Sequence, residues 1–129
     1  MTTWNDVKRY IHSNYKAEDL TDDAIKLLFD TGRLRSQLVF LVHIESESGE
    51  DWLQVHSPIG DRGEVDLERA AEILSTKVAG GLMIIGDKVL VTNSSPLSNL
   101  DTNELVDPML SILRTADELE NTLLGVDRH

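Results

Sequence analysis

Two histidines, His43 and His56, flank the acidic segment "SESGED" (residues 46–51) in a stretch rich in strand formers. With a connecting loop at Ser48–Asp51, the two imidazoles stand directly opposite each other on one sheet face, with Glu45 and Gln54 beside them. A zinc ion needs at least three protein ligands in fixed geometry, and this face supplies two. The pair therefore reads as filler on a half-exposed strand face, and His12 and His129 add nothing to it. Ser57 adjoins His56, but neighbours on a strand point to opposite faces and cannot exchange a proton. The hydroxyls of "TNSSP" (residues 92–96) lack a G-x-S-x-G elbow. Asp22/Asp23 and Glu50/Asp51 fall in a connector and a turn, where solvated carboxylates stay ionised. The glycines of "AGGLMIIG" (residues 79–86) have neither the order nor the helix of a phosphate-cradling loop. The chain has no cysteine, which excludes disulfides and thiol chemistry. These residues predict no catalytic group, no cofactor and no metal site, and hence no enzyme.

The elements that position them follow from periodicity. Trp4, Val7, Ile11 and Tyr15 recur at helical spacing and predict a first helix over Thr3–Tyr15, capped by Thr2 or Thr3. "KAEDLTDD" (residues 16–23) reads as an acidic connector. "AIKLLFDTG" (residues 24–32) fits a helical stripe through Ile25, Leu28 and Phe29 or a strand face through Ile25, Leu27 and Phe29. Gly32 and the β-rich continuation favour the strand. "QLVFLVHIE" (residues 37–45) is a central strand. Its uniform face, Leu38, Phe40, Val42 and Ile44, is expected to be the well-buried one, and the mixed face, Gln37, Val39, Leu41 and His43, the partly buried one. The returning strand, "WLQVHSPI", is expected to stop at Pro58. Arg33 and Arg35 then sit in the turn between the first two strands, with Gln37 opening the alternation, so the three form a structural turn motif.

Asp66 caps a second helix with Leu67, Ala70, Ala71 and Leu74 inward. Gly86-Asp87 turns a tight hairpin. A last helix starts either at Asp101 with Glu104 or at Asp107 with Pro108, and ends at Gly125. Leu105, Met109, Ile112, Ala116, Leu119 and Leu123 form its apolar stripe, wide enough for core packing. The predicted architecture is a single α+β domain over residues 1–129. It has an antiparallel sheet of about five strands packed against helices, in the order α-β-β-β-α-β-β-α.

Charge narrows the function classes. The net charge of −11, from 23 acidic and 12 basic residues, repels phosphate backbones, and no basic stripe compensates. Nucleic acid is therefore not an expected partner. No apolar run is long enough to span a membrane, and the N-terminus lacks an apolar signal core, which together predict a cytoplasmic protein.

The element order and several landmarks resemble the bacterial type III secretion chaperone-like superfamily, in particular its YbjN-like branch of putative sensory-transduction regulators. The resemblance rests on "FDTGRLRSQLVFL", "LQVHSPIG", "GGLMIIGDKVLV", "SSPLSNLDTNEL" and "TADELENTLL", in that order along nearly the whole chain. It implies an α+β fold, commonly dimeric, used by the secretion chaperones to bind extended segments of other proteins. No catalytic residue carries over, and a shared fold does not by itself transfer a function. The expected function is non-enzymatic protein binding, chaperone- or adaptor-like. The alternative is a small-molecule-binding regulator with a pocket between the last helix and the sheet. Lysine guards unpaired edges, so the strands of Lys26 and Lys88 are the expected edges. Ile73, Val78, Leu82 and Ile84 exceed what one core face needs and mark a homodimer interface.

Overall fold

The computed structural model describes residues 2–32, 35–77, 80–101 and 104–124. Arg33, Val78, Gly125 and His129 lie outside the described residues. Helix α1 (Trp4–Asn14) starts at a reciprocal cap. Thr3 Oγ1 accepts from the Asp6 N–H at 3.2 Å, and the Asp6 carboxylate accepts from the Thr3 N–H at 2.9 Å. Its buried stripe is Trp4, Val7 and Ile11, as the spacing predicts.

Strands β1 (Ala17–Thr21), β2 (Ala24–Gly32), β3 (Arg35–Glu45) and β4 (Asp51–Asp61) follow. The acidic connector is thus a strand. It escapes sequence patterning because β1 is an edge, with four of its five residues exposed, so no apolar alternation is imposed on it. Helix α2 (Leu67–Leu74) is capped by Asp66, whose Oδ1 accepts from the Arg69 N–H at 3.1 Å. Strands β5 (Gly81–Ile85) and β6 (Lys88–Pro96) are joined at Gly86-Asp87, where Gly86 takes the left-handed φ of 60°. Helix α3 (Val106–Leu124) begins between the two expected starts, so Asp101 lies before it and Asp107 lies inside its first turn rather than capping it. The Asp101 N–H donates to Glu104 Oε1 at 3.1 Å in a preceding turn, and Pro108 falls in the first turn of the helix.

Among the described residues the six strands form one antiparallel sheet in the order β1-β2-β3-β4-β6-β5, one strand more than expected. All three helices pack on one face. Trp4, Val7 and Ile11 of α1, Ala70 and Leu74 of α2, and Met109, Ile112, Ala116 and Leu119 of α3 share a core with Ile25, Leu27, Val39, Leu41, Leu53, Val55, Val89 and Val91 of the sheet.

Three expectations are corrected by this register. The buried face of β3 is the mixed one, since Gln37, Val39 and Leu41 are buried while Ile44 is 39% exposed. The loop between β3 and β4 is Ser46–Glu50, pairing His43 with Leu53 and Phe40 with His56. An odd-numbered slip in register moves one histidine through the sheet, so His43 and His56 lie on opposite faces. The edges are β1 and β5, because the Lys26 strand is covered by β1 and the Lys88 strand lies between β4 and β5.

Pro58 does not end β4; it opens a seam. The His43 N–H bonds the Asp23 carbonyl on the β2 side, so even-numbered β3 residues face β4. By the same alternation the missing N–H of Pro58 points at β3. The β3–β4 ladder stops at Phe40–His56, while β4 continues against β6 through Pro58–Leu90 to Asp61–Lys88. Gln37 stitches the gap. Its amide donates to Ser57 Oγ at 2.9 Å and to the Pro58 carbonyl at 2.7 Å, and the Ser57 hydroxyl donates to the Leu38 carbonyl. Gln37 is 3% exposed, so these groups have no water to fall back on. Replacing Gln37 with Ala should cost about 1–3 kcal/mol in urea unfolding. A loss below about 0.5 kcal/mol, the range of ordinary surface changes, overturns the stitching role.

Candidate functional site

His43 is the most constrained polar group on the helix side. Its Nδ1 lies 2.9 Å from an Asp23 carboxylate oxygen and its Nε2 lies 2.8 Å from Asp51. Its ring stacks on Trp4, with centroids 5.5 Å apart and planes 13° apart. The Trp4 Nε1–H in turn donates to the Asp22 carbonyl at 2.7 Å. One side chain therefore ties α1, the β1–β2 turn, β3 and the start of β4. Burial, the largest single influence, lowers the His43 pKa, but the hydrogen bonds and charges of Asp23 and Asp51 together outweigh it and raise the value above normal. An imidazolium donating from both nitrogens keeps no lone pair for a substrate proton or a metal. The carboxylates expected to be merely solvated are, for Asp23 and Asp51, partners of this ring. Ser57 is occupied as well, held between Gln37 and the Leu38 carbonyl. Among the described residues no group of three or more His, Asp or Glu is placed to hold a metal.

The opposite face of the sheet is apolar without a helix over it among the described residues. Register places Leu28 of β2, Leu38, Phe40, Val42 and Ile44 of β3, Trp52, His56 and Pro58 of β4, Leu90 of β6, and Met83 and Ile85 of β5 on it. Leu28 is 61% exposed and Ile85 53%. A hollow of about 330 Å³ sinks into this face between Leu38, Phe40, His56, Pro58, Ile85, Lys88 and Leu90. A second hollow of about 370 Å³ lies at the open seam, where Leu28, Leu38, Gln37 and Pro58 meet Glu120 of α3.

The two sheet edges differ. β1 carries Glu18 and Asp19, whereas β5, "GLMII", carries no charge. Ile85 and Lys88 close a two-residue turn, so Gly81, Met83 and Ile85 bond β6, and the N–H and C=O groups of Leu82 and Ile84 point outward. Of the residues expected at a dimer interface, Ile73 and Leu82 are half-buried against the core and Ile84 is exposed. Arg35 is the first residue of β3, paired with Gly32 across the turn. Gln37 is a seam residue, which spacing alone did not reveal; the signal was Pro58 in the neighbouring strand.

No protein-family model matches the chain, and no curated protein matches its sequence. Its fold is similar to a chain in the solved structure of the HopA1–SchA chaperone–effector complex. The TM-score is 0.62, at 14% sequence identity, covering 90% of this chain and 88% of that one. The two chains share their fold, and the α+β architecture with an antiparallel sheet packed against helices is as the sequence predicts.

The His43 clamp makes stability depend on pH with a defined sign. A base whose pKa is raised on folding contributes stability that is complete below its unfolded value of 6.5 and is lost as pH rises through the folded value. His43→Gln should therefore be less stable than the parent at about pH 6, with the difference shrinking toward about pH 9. Denaturant midpoints that differ equally at both pH values sink the clamp.

Proposed function

We propose that the chain is a non-enzymatic, chaperone- or adaptor-like protein that binds extended segments of a partner protein on the open face of its sheet. The observation that carries this reading is the uncovered apolar face, in which Leu28, Ile44 and Ile85 remain exposed beside a shallow apolar hollow. Contiguous exposed apolar surface on a protein of this charge marks an interaction site rather than a packing accident. The fold likeness to a chain of a chaperone–effector complex supports the same class of work. The YbjN-like assignment, from the sequence landmarks, and a cytoplasmic location belong to this proposal too. Among the described residues no helix is long and apolar enough to cross a membrane. The net charge of −11 favours a partner segment with lysines or arginines around its apolar residues.

A small-molecule regulator is the second reading. It draws on the hollow at the seam, where Gln37 Oε1 is buried without a hydrogen-bond partner and Glu120 reaches in from α3. The protein-binding reading is preferred because the exposed apolar surface extends beyond that hollow, from Leu28 on β2 through Ile44 on β3 to Ile85 on β5. Selection from a displayed library of random peptides tests it. Enriched peptides should alternate apolar and polar residues and carry lysine or arginine. Ile85→Lys should weaken them by about tenfold or more without moving the unfolding midpoint. Undiminished binding to that variant overturns the face as the site.

The homodimer belongs to the same proposal. Two copies joined along β5 would cover the one uncharged edge and leave the open faces continuous across the two-fold axis. Ile73, Val78, Leu82 and Ile84 remain the proposed contacts, burying about 1,200–2,000 Å² in total. Association of two such acidic chains should strengthen with salt. In sedimentation at micromolar concentration, a single species near 14.4 kDa at all salt levels sinks the dimer, and a dimer that survives Ile84→Glu sinks this interface.

A further inference from the structure

His56 is a polar residue in an apolar place. It is 7% exposed, and its Nδ1 has no hydrogen-bond partner. The ring stacks on Phe40, with centroids 5.5 Å apart and planes at 25°, and forms part of the 330 Å³ hollow with Leu38, Pro58, Ile85 and Leu90. Directly across from it on β6 is Thr92, whose Oγ1 is also buried without a partner. Among the described side chains, the charged groups that register places on this face are Glu18 from β1, Lys26 and Asp30 from β2, Asp61 from β4 and Lys88 from β6. Lys26 is paired with Glu18, and Lys88 with Asp61. Among the described residues no carboxylate is hydrogen-bonded to the ring, in contrast to His43.

We propose that the hollow over His56 holds an apolar side chain of a docked polypeptide segment while the imidazole is neutral, and releases it when the ring gains a proton. The inference rests on the docking reading of the open face and adds its regulation. A segment laid on the face removes the remaining water from the hollow. A neutral ring stacked on Phe40 is compatible with that, but an imidazolium is not, because its Nδ1–H is buried with no acceptor in hydrogen-bonding position. Burial already holds the His56 pKa below the ordinary histidine value. By reciprocity, whatever fills the hollow holds it lower still. Release accordingly begins below the usual histidine range of about 6.5.

Nile red, an uncharged dye that fluoresces on apolar surface, tests this without a known partner. It is titrated against the parent protein and His56→Phe between about pH 7.5 and about pH 5, with far-UV circular dichroism confirming folding at each point. His56→Leu, a smaller replacement, serves as the second variant. Dye binding to the parent should fall by about threefold or more as pH drops, and stay level in the variants, a change of about 0.6 kcal/mol. The His56 ring resonance should also titrate at lower pH with dye present. A parallel fall in parent and variants, or a level response in the parent, overturns the gating and leaves the docking face standing. No dye binding to any of the proteins at any pH overturns both.

Discussion

Odd-numbered positions of β3 and β4 place Val39, Leu41, Leu53 and Val55 beneath three helices. Even-numbered positions place Phe40, Val42, Trp52 and His56 on the other face, with no helix above them among the described residues. A sheet buries its apolar surface by forming layers, and among the described residues only one face has its layer. That asymmetry ranks the other features. The helix side holds His43 with both ring nitrogens paired and Gln37 with its amide N–H groups paired. The open side tolerates Leu28 and Ile85 at high exposure and holds its one buried ring, His56, with an unsatisfied nitrogen. Stability belongs to the first face and the proposed recognition to the second.

The two strand histidines make the contrast chemical. His43 sits between two carboxylates and a tryptophan ring, so protonation completes its bonding. His56 sits between a phenylalanine ring and aliphatic walls, so protonation strands a charge. Below its unfolded pKa, His43 supports the fold, whereas His56 weakens it as pH falls from 6.5 toward its depressed folded value, because the unfolded chain takes up that proton first. Acidification therefore leaves the helix-side tie in place while loosening the open face. The same residue type answers pH in opposite directions according to which side of one sheet it occupies.

Much of the fold was legible in the sequence where local chemistry decides it. The caps at Thr3 and Asp66, the Gly86-Asp87 turn and the stripe from Leu105 to Leu119 all depend on neighbours within a few residues. What failed depends on distant partners. β1 has no apolar signature, because pairing with β2 through Glu18–Lys26 needs only backbone groups. The loop between β3 and β4 was placed at Ser48–Asp51 rather than Ser46–Glu50, and that slip put both histidines on one face. The preference for Leu38, Phe40, Val42 and Ile44 as the buried row assumed that the more apolar face is the covered one. That assumption holds when a sheet has a single apolar face, and this sheet has two. The row mistaken for core is the candidate site.

An apolar face and an uncharged edge are hazards for a free protein, and the rest of the surface shows how they are contained. The excess of acidic residues sets copies repelling one another at a distance, so casual face-to-face collapse meets a long-range barrier. Both lysines at the rim of the open face are matched, Lys26 by Glu18 and Lys88 by Asp61. A partner segment with basic residues crosses the acidic field favourably and meets little charge once it lands. The same field makes an acidic or phosphate-bearing competitor a poor visitor. On the proposed docking reading, selection on this surface would act in two stages, by charge on approach and by apolar fit on contact, with the −11 balance supplying the first of them.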